Sequence, residues 1–248
     1  MSSIEISEEL GVRYLHFGSH WIQGAMRIAR PWALELDYTR DMMLPLVLHP
    51  ARGWPRTSLQ VGLGAGSLTK FLHRHRPEAR LKVVEISPEV VTAAWQFFKL
   101  PDASRRLDVE VADGHEFMAR TTREFDLILV DGFDAKARAG MLDSVPFYVN
   151  CRARLAQGGM LVTNLLTRRG DASAAIARLR QAFGEHVLAL PPCEGGNTVT
   201  LAHAHAPLRI GYDALRANAH KLKRDTGLNL LPTVARLIKS RGGNALVI

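Results

Sequence analysis

The stretch Leu127-Ile128-Leu129-Val130-Asp131-Gly132-Phe133-Asp134 is an apolar run that ends in two carboxylates around a glycine. Four consecutive apolar residues without alternation describe a strand buried on both faces, the condition of a parallel strand covered by helices. Two other stretches have the same build. Val61-Gly62-Leu63-Gly64-Ala65-Gly66 runs into a glycine loop, and Val83-Val84-Glu85 ends in an acid. Open α/β sheets hold ligands beyond the carboxyl ends of their strands, so these three ends point to one nucleoside-binding site.

Outward from these ends, from about residue 58 to 203, short β-branched runs alternate with longer amphipathic segments, the pattern of right-handed βαβ units on a parallel sheet. Strands are predicted at 58–62, 81–85, 107–111, 125–131, 160–164, 186–190 and 198–203, and helices at 67–75, 88–98, 114–120, 146–156 and 171–183. Pro88 suits a first helical turn, which needs no amide hydrogen there, and Ser87 is its expected cap. The last strand, preceded by Gly195 and Gly196, is expected to return antiparallel at an edge. Residues 12–36 read as a small β element, 38–48 as a helix and 51–56 as a linker, while two amphipathic stretches at 212–224 and 232–239 read as a helical tail. The expected units are 1–56 (β element and linking helix), 57–206 (Rossmann-like catalytic unit) and 207–248 (C-terminal helical tail).

A chain of 248 residues with 47% hydrophobic and 23% charged residues has the composition of a soluble α/β protein. Residues 1–10 are acidic and carry no apolar signal core, and no apolar run approaches the roughly 20 residues of a membrane helix, so a cytoplasmic location and no membrane partner are expected. Cys151 and Cys193 read as reduced, small, apolar residues. The net charge of +8 admits a nucleic-acid partner, but the basic groups (Arg74, Arg76 and Arg80; Arg168 and Arg169; Lys221, Lys223 and Arg224) are scattered and carry no interleaved aromatic residues. Solvated helix faces are the better reading.

Gly62, Gly64 and Gly66 let backbone approach a ligand at a helix start, although Ser67 stands where a dinucleotide fingerprint wants glycine, which disfavours nicotinamide chemistry. Glu85 follows them by about 20 residues, the spacing of an acid that accepts ribose hydroxyls. Asp113, with Glu116 three residues on, fits a helix cap and an adenine contact at once. Asp131 is expected at the top of a central strand, its bland alternative being an Asp-Gly turn. His73 and His75 share no helix face, and His203 and His205 bring no further ligands, so no metal is expected. Ser67 and Ser144 lack a hydrolase elbow, and Trp95 reads as core together with Val91 and Phe98.

From about Ile22 to His203 the chain resembles the spermidine synthase (polyamine aminopropyltransferase) family. The family's glycine loop is matched by residues 62–66, its ribose acid by Glu85, its Asp-Gly adenine motif by Asp113-Gly114, and its Asp-Ser-x-Asp-Pro loop by Asp131-Gly132-Phe133-Asp134. Pro146-Phe147-Tyr148 and Gln157-Gly158-Gly159 match its Phe-Tyr helix and Pro-Gly-Gly turn, and the segments beginning at Ile22 and Tyr38 look like those of a shorter subgroup. The resemblance implies an α/β, Rossmann-like, seven-stranded S-adenosylmethionine-dependent transferase fold, a homodimer, and transfer of an aminopropyl group from decarboxylated S-adenosylmethionine to a small amine. It implies Asp131 as the group that holds the amine and takes its proton, Asp134 as anchor of the remaining positive charge, and Gln23, Gly62, Gly64, Gly66, Glu85, Ile86, Asp113, Gly114 and Asp131 as donor-binding residues.

The chain also departs from the family. Ala65 replaces an acid that attracts the donor's ammonium tail, Ala135 replaces a proline, and Asn197-Thr198 stands where the family has an aromatic wall. Loss of the acid makes ordinary S-adenosylmethionine more acceptable, so a methyltransferase is the alternative. A basic binding protein that keeps the fold without catalysis is a third.

Overall fold

The computed structural model describes residues 4–18, 21–134, 138–166, 172–204 and 207–248. Ala135, Arg168, Arg169, Asp171 and His205 lie outside the described residues. At the N-terminal end, β1 (Ile4–Glu9), β2 (Val12–Phe17) and β3 (Ile22–Arg27) form an antiparallel sheet. The sequence reading starts this element at residue 12 and misses β1. Its signal is short: Ile4 and Ile6 alternate with Glu5 and Ser7, and pack against a small core of Leu15, Met26, Ala65, Ala93 and Phe98.

Where one helix is predicted at 38–48 there are two, α1 (Asp37–Asp41) and α2 (Pro45–Leu48). Pro45 supplies no amide hydrogen and its ring collides with the carbonyl four residues back, so the helix stops and restarts. The main unit follows as β4 (Thr57–Val61), α3 (Ser67–His75), β5 (Arg80–Glu85), α4 (Pro88–Phe98), β6 (Leu107–Val111), α5 (Gly114–Arg120), β7 (Phe125–Val130), α6 (Val145–Ala153), β8 (Leu155–Leu166), α7 (Ser173–Phe183), β9 (Val187–Ala189) and β10 (Asn197–His203). Among the described residues the central sheet has seven strands in the order β6-β5-β4-β7-β8-β10-β9. β4 through β8 run parallel, and β10 pairs antiparallel with both of its neighbours.

β10 is antiparallel as expected, but it is not the edge. It lies between β8 and β9 with all seven of its residues buried, and the edge falls to the three-residue β9. Short edge strands are the usual way to limit unpaired backbone. β8 begins five residues before the predicted start, and the preceding helix ends at Ala153 rather than 156.

The two sheet faces bury separate sides of each strand. Leu127 and Leu129 enter one core with α3 and α4, while Ile128 and Val130 enter the other with Phe117, Phe147 and Tyr148. The C-terminal segment joins the first of these cores through Leu215, Leu222, Val234 and Leu237, carried by α8 (Tyr212–Thr226) and α9 (Leu231–Arg241). A two-stranded antiparallel pair, β11 (Arg209–Gly211) and β12 (Ala245–Val247), brackets those helices and is absent from the sequence reading. Three-residue strands give too little periodicity to detect. Buried Asp41 of α1 accepts a hydrogen bond from Thr233 Oγ1 at 2.6 Å and pairs with Arg236, tying α1 to α9. Trp95 is 39% exposed, not core; its Nε1 donates to the Pro101 carbonyl at 3.2 Å while Val91 and Phe98 are buried. Cys151 and Cys193 are free, buried thiols. Among the described residues no helix is long and apolar enough to cross a membrane.

The small sheet is seated on the glycine loop. Ser67 Oγ donates to the Ala25 carbonyl at 3.1 Å, and a methyl placed on Gly24 would lie 2.6 Å from Ala65 Cβ and 2.8 Å from its amide nitrogen. Gly24→Ala is expected to destabilise the chain by about 1–3 kcal/mol, the usual cost of overpacking. A shift in the urea midpoint checks this.

Candidate active site

The strand order reverses between β4 and β7, and both of their carboxyl ends open into a cavity of about 270 Å³. Such switch points leave a crevice because the flanking helices diverge to opposite faces. The two chain segments nearly touch there. The amide of Asp131 donates to the Val61 carbonyl at 2.9 Å, and a methyl on Gly62 would fall 2.2 Å from the Asp131 carbonyl oxygen. Gly62 also has φ +87°, so both space and conformation require glycine.

Gln23, Gly62, Gly64, Glu85, Ile86, Asp113, Gly114, Asp131 and Asp134 all line this cavity. Gly66, expected among the donor-binding residues, does not line it; it is the left-handed residue that opens α3. Glu85, only 8% exposed, accepts from the Leu63 amide at 2.7 Å through Oε2 and from the Ser87 amide at 3.0 Å through Oε1. It buckles the glycine loop onto β5 and keeps lone pairs for a ligand. Burial raises its carboxyl above the usual range, against the pull of these backbone donors. Asp113 caps α5, its Oδ1 accepting from the amides of His115 at 2.7 Å and Glu116 at 3.0 Å. Ile86 presents an exposed apolar side chain beside it.

Asp131 ends β7 and reaches the cavity wall. Tyr38 OH donates to its Oδ2 at 3.2 Å and Asn164 Nδ2 to its Oδ1 at 2.8 Å. Asn197 Nδ2 in turn donates to Asn164 Oδ1 at 2.9 Å. Loss of solvation pushes the Asp131 carboxyl up to about 6; the two side-chain donors pull it down, and the charge of Glu85 adds to the rise. The arrangement is a carboxylate whose protonation changes near pH 6, facing a cavity with three further acids, Glu85, Asp113 and Asp134.

The spermine/spermidine synthase domain matches residues 35–183, over half of the chain, and includes the carboxyl ends of β4, β5, β6 and β7. The chain belongs to the spermine/spermidine synthase family. It is 35% identical over 237 residues to a polyamine aminopropyltransferase of Chromobacterium violaceum, covering 96% of this chain and 90% of that one. Among solved structures it superposes on a probable spermidine synthase from Corynebacterium glutamicum with a TM-score of 0.74 at 21% identity, over 92% of this chain and 86% of that one. It also superposes on human methyltransferase-like protein 13 in complex with SAH with a TM-score of 0.67 at 24% identity, over 77% and 93% of the two chains. At those identities the superpositions establish the shared fold.

Within this family member, several site residues escaped the sequence reading. Tyr38 lies 93 positions from the aspartate it contacts, and nothing in its local sequence signals that role. Asn164 had a legible signal, since it closes a predicted apolar strand at the same sheet end as Asp131. Gln60 and Thr69 form a buried support for the glycine loop: Thr69 Oγ1 donates to Gln60 Oε1 at 2.7 Å, and Gln60 Nε2 donates to the Gly62 carbonyl at 2.7 Å. Asp134 does line the cavity, but its carboxylate is engaged by Arg138.

Asp131 titrates from an ordinary value of 3.8 when unfolded to about 6 when folded, so the folded state binds the extra proton between those pH values. Its contribution to stability therefore falls as pH rises from about 4 to 6 and is flat above. Asp131→Asn is without this titration. Thermal melts are expected to show the melting temperature of the variant gaining on that of the wild type as pH is raised from 4 to 7.

Proposed function

We propose that this family member transfers an aminopropyl group from decarboxylated S-adenosylmethionine to a small amine. The observation that carries the reading is the convergence of Glu85, Asp113 and Asp131 on one cavity, with Asp131 held by Tyr38 and Asn164. The residues fit the nucleoside part of the donor. Glu85 retains lone pairs suited to ribose hydroxyls, Ile86 supplies an apolar wall for a base, and Asp113 and Gly114 stand beside it. Gln23 with Gly62 and Gly64 forms the floor towards β3.

An alkylammonium, with a pKa near 10, is almost wholly protonated at neutral pH. Asp131 holds it by charge and takes a proton from nitrogen, freeing the lone pair that attacks the methylene carbon beside the sulfonium. The new carbon–nitrogen bond forms as the carbon–sulfur bond breaks, its electron pair staying on sulfur to leave a neutral thioether. Tyr38 and Asn164 orient the carboxylate, and holding nitrogen in line with carbon and sulfur supplies much of the acceleration. The family resemblance supports a homodimer as the working form, which sedimentation tests.

A second reading, methyl transfer from S-adenosylmethionine, is favoured by one observation. Ala65 stands where the family's loop carries an acid, and it is only 2% exposed under β3, so it leaves the donor's tail without a countercharge from the loop. Calorimetric titration with decarboxylated S-adenosylmethionine, S-adenosylmethionine and methylthioadenosine separates the readings: aminopropyl transfer expects tighter binding of the decarboxylated donor, and methyl transfer the reverse. Binding of none of the three ends both.

Asp131→Asn is expected to lower kcat by about 100-fold or more, the scale of a lost general base. In the wild type kcat/KM should fall on the acid side with a midpoint near 6, as Asp131 protonates. Tyr38→Phe removes a donor that favours the carboxylate, so its acid limb is expected to move to higher pH. Initial-rate pH profiles with saturating donor check both.

A further inference from the structure

Asp134 is bound back onto its own loop. The Arg138 amide donates to Asp134 Oδ1 at 2.9 Å, Arg138 Nε donates to Oδ2 at 2.8 Å, and the Arg138 guanidinium forms an ion pair with the same oxygen at 2.7 Å. In return the Asp134 amide donates to the Arg138 carbonyl at 2.9 Å. Both carboxylate oxygens are thus occupied, by a residue that itself lines the cavity. The resemblance implies Asp134 as the anchor for a second positive charge on the acceptor, and here that charge is supplied internally.

We infer that Arg138 sets the acceptor class: the site takes an amine with a single positive charge, and Arg138 disfavours a diamine. This rests on the aminopropyl-transfer reading. The charged groups among the described cavity residues are Glu85, Asp113, Asp131, Asp134 and Arg138. Glu85 and Asp113 stand at the carboxyl ends of β5 and β6, where they accept backbone amides and face the donor's nucleoside, Asp131 takes the reacting nitrogen, and Asp134 is matched by Arg138. A second ammonium on the acceptor meets a guanidinium or must displace it from a pair in which two guanidinium nitrogens share Oδ2 and the Arg138 amide holds Oδ1. A monoamine carries no such charge and places its alkyl end there without opposition. The pair is solvent-facing, so its value to stability is small, and the consequence falls on the acceptor.

The test compares 1-aminobutane with 1,4-diaminobutane as acceptors, using decarboxylated S-adenosylmethionine and, separately, S-adenosylmethionine as donor, for wild type, Arg138→Gln and Arg138→Lys. Wild type is expected to use the monoamine with kcat/KM at least equal to that of the diamine. In R138Q the ratio should move about tenfold towards the diamine, the size of one partly screened charge contact. R138K keeps the charge and is expected to keep the wild-type ratio, which a merely structural loop clasp would not predict. A wild-type preference for the diamine of tenfold or more, or a ratio unchanged in R138Q, overturns the inference while leaving aminopropyl transfer intact. No aminopropyl product from either amine with the decarboxylated donor overturns the inference together with the reading beneath it.

Discussion

The backbones of Gly62 and Asp131 pass so close at the carboxyl ends of β4 and β7 that no side chain fits between them. Every part of the site depends on that approach. It brings the glycine loop, which would otherwise be only a strand-to-helix turn, within reach of the carboxylate that ends the neighbouring strand. It also fixes the cavity at the sheet's switch point, where diverging helices leave room for a ligand. The buried Thr69 and Gln60 pair holds the loop from below by its Gly62 carbonyl, and Glu85 holds it from the side by the Leu63 amide.

Electrostatics in the cavity follow from the same crowding. Loss of solvation raises both the Glu85 and the Asp131 carboxyl, the charge of Glu85 adds to the rise at Asp131, and the surrounding donors limit both. Glu85 is compensated by backbone amides, whose positions are set by the fold. Asp131 is compensated by side chains, Tyr38 and Asn164, which belong to other elements and are open to substitution. The carboxylate proposed to take the proton is thus the one whose environment is the more adjustable.

Much of the fold was legible in the chain because its elements announce themselves locally. The helices at Ser67–His75, Pro88–Phe98 and Gly114–Arg120 and the strand at Leu107–Val111 coincide with their expected limits, since Gly66, Ser87 with Pro88, and Asp113 give strong start signals. Expectations failed where a local signal was weak or misleading. β1 hides its alternation among glutamates, the helix expected at 38–48 is broken by Pro45, and β11 and β12 are too short to show a period. β10 carries no mark of its neighbours, because strand order depends on which buried faces meet.

The amino-acid order by itself determined the alternation of buried strands with amphipathic helices, the glycine loop, and the acids Glu85, Asp113 and Asp131 at successive strand ends, all features written within a few residues of each other. Tertiary structure alone decided that β10 lies inside the sheet, that the N-terminal sheet sits on Ala65, that Tyr38 and Asn164 flank Asp131, and that Arg138 occupies Asp134. The reason is physical. Periodicity and capping are local properties of the chain, whereas the partner of a buried carboxylate is chosen by packing between segments far apart along it, and no local pattern encodes which donor will arrive.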